Sequence, residues 1–204
     1  MTSEEIVRYL KEHVEPFEDP IEGKQYRCSA YLTDGTYLPC VIYQNPRPSI
    51  NQAIKRLNEE KKGKGIFARS SGLDMYHELV KLYVTGGNKI NEYDVDRVEK
   101  SPHALPYATL DKIKGETMMG WTAFGARMKD GKEFAFGTSF YAHFFQMPDG
   151  YSAEDITDIL DHRYMSTSGE LKKHQSPFGD MPEDYDEKAI YRECPFFKCY
   201  LEGI

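Results

Sequence analysis

The chain has 204 residues, enough for one sizeable core or at most two small domains, and folding buries roughly 70% of the surface that its extended form exposes. Hydrophobic residues make up 40% and charged residues 29%, which excludes a mostly disordered chain, and no run of about 18 apolar residues is present to cross a membrane. A formal net charge of −7 disfavours nucleic acid and anionic lipid as principal partners, because both reward a basic face.

The first sixteen residues are acidic and lack a long apolar run, so they read as a capped helix and not as a secretory leader. Thr2 with Glu5 forms a capping-box pattern that opens a helix over 3–13, with Ile6, Val7 and Leu10 inward. "YRCSAYLTDGTYLPCVIY" comes next as a β-hairpin. A three-residue loop, Thr33-Asp34-Gly35, gathers Tyr26, Cys28, Ala30, Leu32, Leu38, Cys40 and Ile42 on one face and sets Cys28 opposite Cys40. Pro39 then needs a strand edge or a bulge, because it has no N–H for a ladder. Ser49 with Gln52 opens a helix at about 50–62. The basic stretch 55–72 lacks the spacing of a phosphate-binding loop and reads as a solvated helix end.

"LDMYHELVKLYVTGG" predicts a helix from about Asp74 to Gly86-Gly87, and its His77-Glu78 start lacks the second histidine of a zinc helix. Residues 86–106 read as loop, irregular strand and loop, and Pro106 sits in the first turn of a short helix. A second hairpin, "WTAFGARMKDGKEFAFGTSF", separates charge from apolar groups only if its loop is Lys129-Asp130-Gly131. That register pairs Phe124 with Phe136, Ala126 with Phe134 and Arg127 with Glu133. One face is then a row of rings. The other is a bare strip of Ala123, Gly125, Ala135 and Gly137, with Trp121, Tyr141 and His143 toward one end.

Ser152 with Asp155 predicts a helix over 153–163, which would place Asp155, Asp158 and His162 on one face as candidate metal ligands. A solvated helix face explains the same three residues, and no cofactor is expected. Residues 165–188 read as a loop-rich surface segment, after which the end of the chain docks an apolar stretch. Both hairpins precede a proline turn and a Ser-capped segment, at "NPRPSINQAI" and "MPDGYSAEDI", an order that suggests a duplication as well as two ordinary pieces of one fold.

The expected architecture is one α+β domain over 1–204, with an antiparallel sheet built around two Asp-Gly β-hairpins and packed by amphipathic helices. Four cysteines without an export signal argue for free thiols and a cytoplasmic location. Two candidates cover the bare strip: one of the chain's own helices, or a ligand stacking on Trp121 and Tyr141. Ser139 and His143 are about 13 Å apart along a regular strand, too far for proton transfer. The expected function is a non-catalytic intracellular interaction or accessory protein, with a second copy of the chain open as a partner. The alternative is a small-molecule-binding protein or enzyme with a pocket formed by Trp121, Arg127, Ser139, Tyr141 and His143.

Overall fold

The computed structural model describes residues 1–20, 22–62, 87–139, 143–174 and 181–204. The expected helix at 74–85, most of the basic stretch and Tyr141 lie outside them. The described chain is mixed α+β with sheet predominating.

Helix α1, Ser3–His13, starts on the reciprocal cap: the Glu5 N–H donates to Thr2 Oγ1 at 3.2 Å and the Thr2 N–H donates to Glu5 Oε2 at 2.8 Å. Ile6 and Leu10 are fully buried beneath it. Helix α2, Pro46–Lys62, begins earlier than the Ser49 pattern predicts. Asn45 Oδ1 accepts the Arg47 N–H at 2.9 Å, so Asn45 supplies the acceptor at this end. Pro46 and Pro48 both fall in the first turn, where their missing N–H groups cost no intrahelical bond.

Strands β1 (Pro16–Asp19), β2 (Gly23–Leu32), β3 (Tyr37–Gln44), β4 (Lys89–Ile90), β5 (Val95–Lys100) and β12 (Phe197–Tyr200) belong to the first sheet, ordered β1-β2-β3-β12-β4 with β5 also on β2. Strands β6 (Thr122–Met128), β7 (Glu133–Thr138) and β8 (Ile156–Asp161) form the second with β11 (Ile190–Arg192). Helix α3, Tyr107–Leu110, precedes them, with Pro106 at its cap. Strands β9 (Arg163–Met165) and β10 (Leu171–Lys173) make a small hairpin. The expectation of one antiparallel sheet is therefore corrected: each hairpin lies in its own sheet, and each sheet takes a parallel strand from the end of the chain.

The two sheets repeat one topology. In the first, β2 pairs antiparallel with β3 and β5, and β3 pairs parallel with β12; in the second, β6 pairs antiparallel with β7 and β8, and β7 pairs parallel with β11. Local chemistry repeats too. Gly35 and Gly131 both have φ +87°, and the Thr33 N–H donates to Asp94 O at 2.8 Å as the Lys129 N–H donates to Asp155 O at 2.9 Å. A register shift falls between Tyr31 and Leu32 against β5, and between Arg127 and Met128 against β8. The matching segments are thus "NEYDV" and "SAEDI", each a 3-10 turn leading into a strand, and not the two proline-Ser stretches.

This corrects the helix expected at 153–163. The Ser152–Asp155 capping box forms, but it caps only the 3-10 turn Ala153–Asp155 before β8 begins. Ile156 and Ile159 are β-branched and pair with Met128 and Ala126 of β6, and this ladder prevails over the helical period.

The first hairpin has its expected turn and an altered body. Ala30 pairs with Leu38 but Cys28 pairs with Val41, so β3 carries one extra residue around Pro39. The bulge moves Cys40 off the face of Cys28: Cys28 packs with Leu10, Val41 and Tyr43, while Cys40 and Ile42 pack with Phe144. The second hairpin keeps the segregating register, with Arg127 Nε donating to Glu133 Oε1 at 3.0 Å. Its ring row forms a core in which Phe124 stacks on Phe136 at 5.4 Å and Phe145 meets Phe124 edge-on at 5.3 Å.

The bare strip is covered by the chain itself, though not by a helix. The Trp121 ring lies over Gly137, and the β9–β10 hairpin lies over Gly125, where an added Cβ would sit 2.7 Å from Leu171 Cδ2. A Cβ on Gly137 would fall 2.1 Å from Trp121 Cζ2. Gly137→Ala is therefore expected to cost about 1–3 kcal/mol by overpacking and to expose the indole. Urea unfolding and the emission of this single tryptophan check it; an unchanged midpoint with unchanged emission is the contrary result.

Candidate functional site

Where β1 of the first sheet meets the open ends of β6 and β7, the molecule has a cleft of about 650 Å³. Phe17 and Asp19 come from β1, Leu110 and Ile113 from α3 and the turn after it, and Glu116 from the loop beyond. Thr122, Thr138 and Ser139 contribute hydroxyls from the strand ends, and His143 closes one side. Phe17 and the His143 ring meet edge-on at 5.4 Å, and Phe196 packs on the other side of His143 at 5.5 Å.

Behind the cleft lies Arg27, 5% exposed, whose Nη1 donates to the His143 carbonyl at 3.2 Å and whose guanidinium sits 5.5 Å from the Phe17 ring centre. Burial pushes the Arg27 pKa down. Burial, followed by repulsion from Arg27, pushes the His143 ring down to about 4, so it is a neutral donor and acceptor at pH 7. The carboxylates of Asp19 and Glu116 then give the walls negative charge, with no lysine or arginine among the described lining side chains. An apolar floor, three hydroxyls, a neutral imidazole and two acids suit a small molecule that combines a ring with donor groups or positive charge.

The candidate residues are divided by the structure. Ser139 and His143 both line the cleft. Trp121 lies beside it, with Arg192 over its ring at 4.5 Å, and shares with Ser139 a smaller hollow of about 360 Å³. Arg127 stands at the far end of β6, ion-paired with Glu133 at 2.8 Å and Asp158 at 3.6 Å, and takes no part in the cleft. The three candidate metal ligands lose their shared helical face: Asp155 caps Ser152 and pairs with Lys129 at 3.2 Å, Asp158 pairs with Arg127, and His162 Nε2 lies 2.9 Å from Lys114 O. Among the described residues no group of three His, Cys, Asp or Glu side chains has metal-binding geometry.

Phe17, Asp19, Ile113 and Glu116 escaped the sequence reading because they lie on a short edge strand and in loops, where neither period nor motif marks them. The sequence matches no family model, and comparison with curated proteins and with solved structures finds no match.

Proposed function

We propose that this is an intracellular binding protein, non-catalytic at its cleft between β1 and the ends of β6 and β7, which takes a small cationic ligand with an aromatic or apolar body. The observation that carries this reading is the cleft itself: it is large enough for such a molecule and places Asp19, Glu116 and the uncharged His143 around the rings and hydroxyls. Four free cysteines fit a reducing, cytoplasmic location. The ligand reading is preferred to docking of a partner protein because the exposed large apolar side chains, such as Tyr93, Met119 and Ile54, stand on separate elements. No helix among the described residues is long and apolar enough to cross a membrane.

The test compares benzylammonium with benzoate by NMR titration. Benzylammonium is expected to shift the resonances of Thr122, Thr138, Ser139 and His143, benzoate to leave them in place, and Glu116→Gln to weaken the response severalfold. Equal responses to both ions, or none to either, would reject the proposal.

A further inference from the structure

A second site, distinct from the cleft, is assembled where Phe196 packs with Cys40, Phe144 and Cys194. Its three groups come from distant parts of the chain: Cys40 on β3, His103 after β5, and Cys194 after β11. The Pro39 bulge turns Cys40, 2% exposed, into the cluster where Cys194, Phe144 and Phe196 pack. Ser101 Oγ donates to the Pro39 carbonyl at 2.6 Å and accepts the His103 N–H at 3.2 Å, which ties the bulge to the histidine. Residues 144–145 then clamp the remaining pieces. The Cys194 N–H donates to Phe144 O at 2.9 Å, and the Phe145 N–H donates to His103 O at 3.0 Å. His103 Nδ1 lies 2.9 Å from Phe145 O, and because a carbonyl only accepts, Nδ1 carries the proton and Nε2 is the ring's remaining acceptor.

We propose that Cys194 and Cys40 form a histidine-assisted dithiol that reduces small hydroperoxides, with Cys194 as the attacking sulfur, Cys40 as the resolving thiol and His103 as the general acid. Cys194 is half-buried, whereas Cys28 and Cys199 are fully buried. Interaction with the Cys40 thiol, and then with the His103 ring, favours the thiolate at Cys194, while the same contact and burial hold Cys40 as a thiol. Interaction with Cys194 raises the affinity of His103 for its second proton.

The chemistry closes on these groups. The Cys194 thiolate attacks one peroxide oxygen, the O–O bond breaks, and the leaving oxygen takes a proton from the His103 imidazolium to depart as water or an alcohol. Sulfur is oxidised by two electrons to a sulfenic acid and the peroxide is reduced by two. Cys40 sulfur then attacks Cys194 sulfur, the S–S bond forms, and hydroxide leaves with the Cys40 proton as water. A cellular thiol reductant, itself oxidised to its disulfide, returns both cysteines to thiols. A second thiol packed beside Cys194 is the feature that separates this reading from a hydrolytic Cys–His pair, which has no use for Cys40.

The experiment treats the full chain with one equivalent of hydrogen peroxide and maps the cysteines by mass spectrometry. A Cys40–Cys194 disulfide is expected, with loss of two hydrogens, and Cys28 and Cys199 remain thiols. Cys194→Ser abolishes the reaction, and Cys40→Ser stops at a sulfenic acid trapped by dimedone. Separately, the rate at which iodoacetamide alkylates Cys194 is expected to change less than about threefold between pH 8 and pH 6, whereas an ordinary thiol slows by roughly a hundredfold. His103→Gln steepens the slope. A disulfide involving a different cysteine, no disulfide at all, or an ordinary alkylation profile for the unmutated Cys194 each overturns the proposal without requiring any variant to fold.

Discussion

A chain stopped after Phe196 is expected to be unfolded at 25 °C. The eight residues removed include β12, which lies between β3 and β4, and the Leu201 N–H that donates to Gln44 O at 3.0 Å. Cys199 and Leu201 are 0% and 1% exposed in the core that also holds Ile6, Leu10 and Tyr43. Their burial contributes roughly 3–5 kcal/mol, and the backbone groups of β3 lose their partners in addition. Together these approach the whole stability of a typical domain, about 5–15 kcal/mol. Far-ultraviolet circular dichroism of the shortened chain checks this. A cooperative urea transition within about 1 kcal/mol of the full chain would contradict the structural role given to β12.

The second large effect is a loss of stability in mild acid that runs through His143. In the unfolded chain the imidazole titrates near its ordinary value of about 6.5, while the folded ring is held down to about 4 by burial and by Arg27, with Lys198 adding repulsion and Asp19 and Glu22 opposing it. Between those values the unfolded chain binds a proton that the folded chain does not. Stability therefore rises with pH across this window, is complete above about pH 6.5, and falls as acid is added until the folded ring itself protonates near 4. The full difference is about 3 kcal/mol, of which about 2 kcal/mol is spent between pH 7 and pH 5. His143→Gln removes this component, so urea midpoints at the two pH values should separate the variant from the parent by about that amount. Parallel pH slopes for the two proteins would show that His143 is solvated in the folded state.

Turn chemistry was the most legible part of this sequence. Asp-Gly at 34–35 and 130–131 marked both loops, and the need to separate Arg127 from Phe134 selected the register of the second hairpin, because local sterics and one-face burial both act within a few residues. The capping box at Ser152 was equally legible but spoke only for the next turn; the strand beyond it was decided by β6, some thirty residues away. Pro39 announced a bulge, yet the consequence for Cys40 depends on which side of the sheet Phe144 and Cys194 occupy. The glycines and alanines of the bare strip signalled a close approach without saying by what, since Trp121 and Leu171 reach it by folding back over the sheet. The cleft and the thiol cluster were least legible, because each joins residues from at least three segments and no member carries a distinguishing spacing.

Because the two sheets share one layout, synthesis opens the same gap twice. As the chain leaves the ribosome, β3 and β7 each expose a row of unpaired amides and carbonyls to solvent, and the strands that close them, β12 and β11, follow every other described strand in sequence. Two open seats of like backbone geometry thus await two short ribbons only a few residues apart in sequence. Seating them correctly falls to side-chain fit, with Cys199 entering the pocket of Ile6 and Leu10 and Tyr191 meeting Phe134 and Phe136. Exchanged seating is the misfolding route that this shared layout opens.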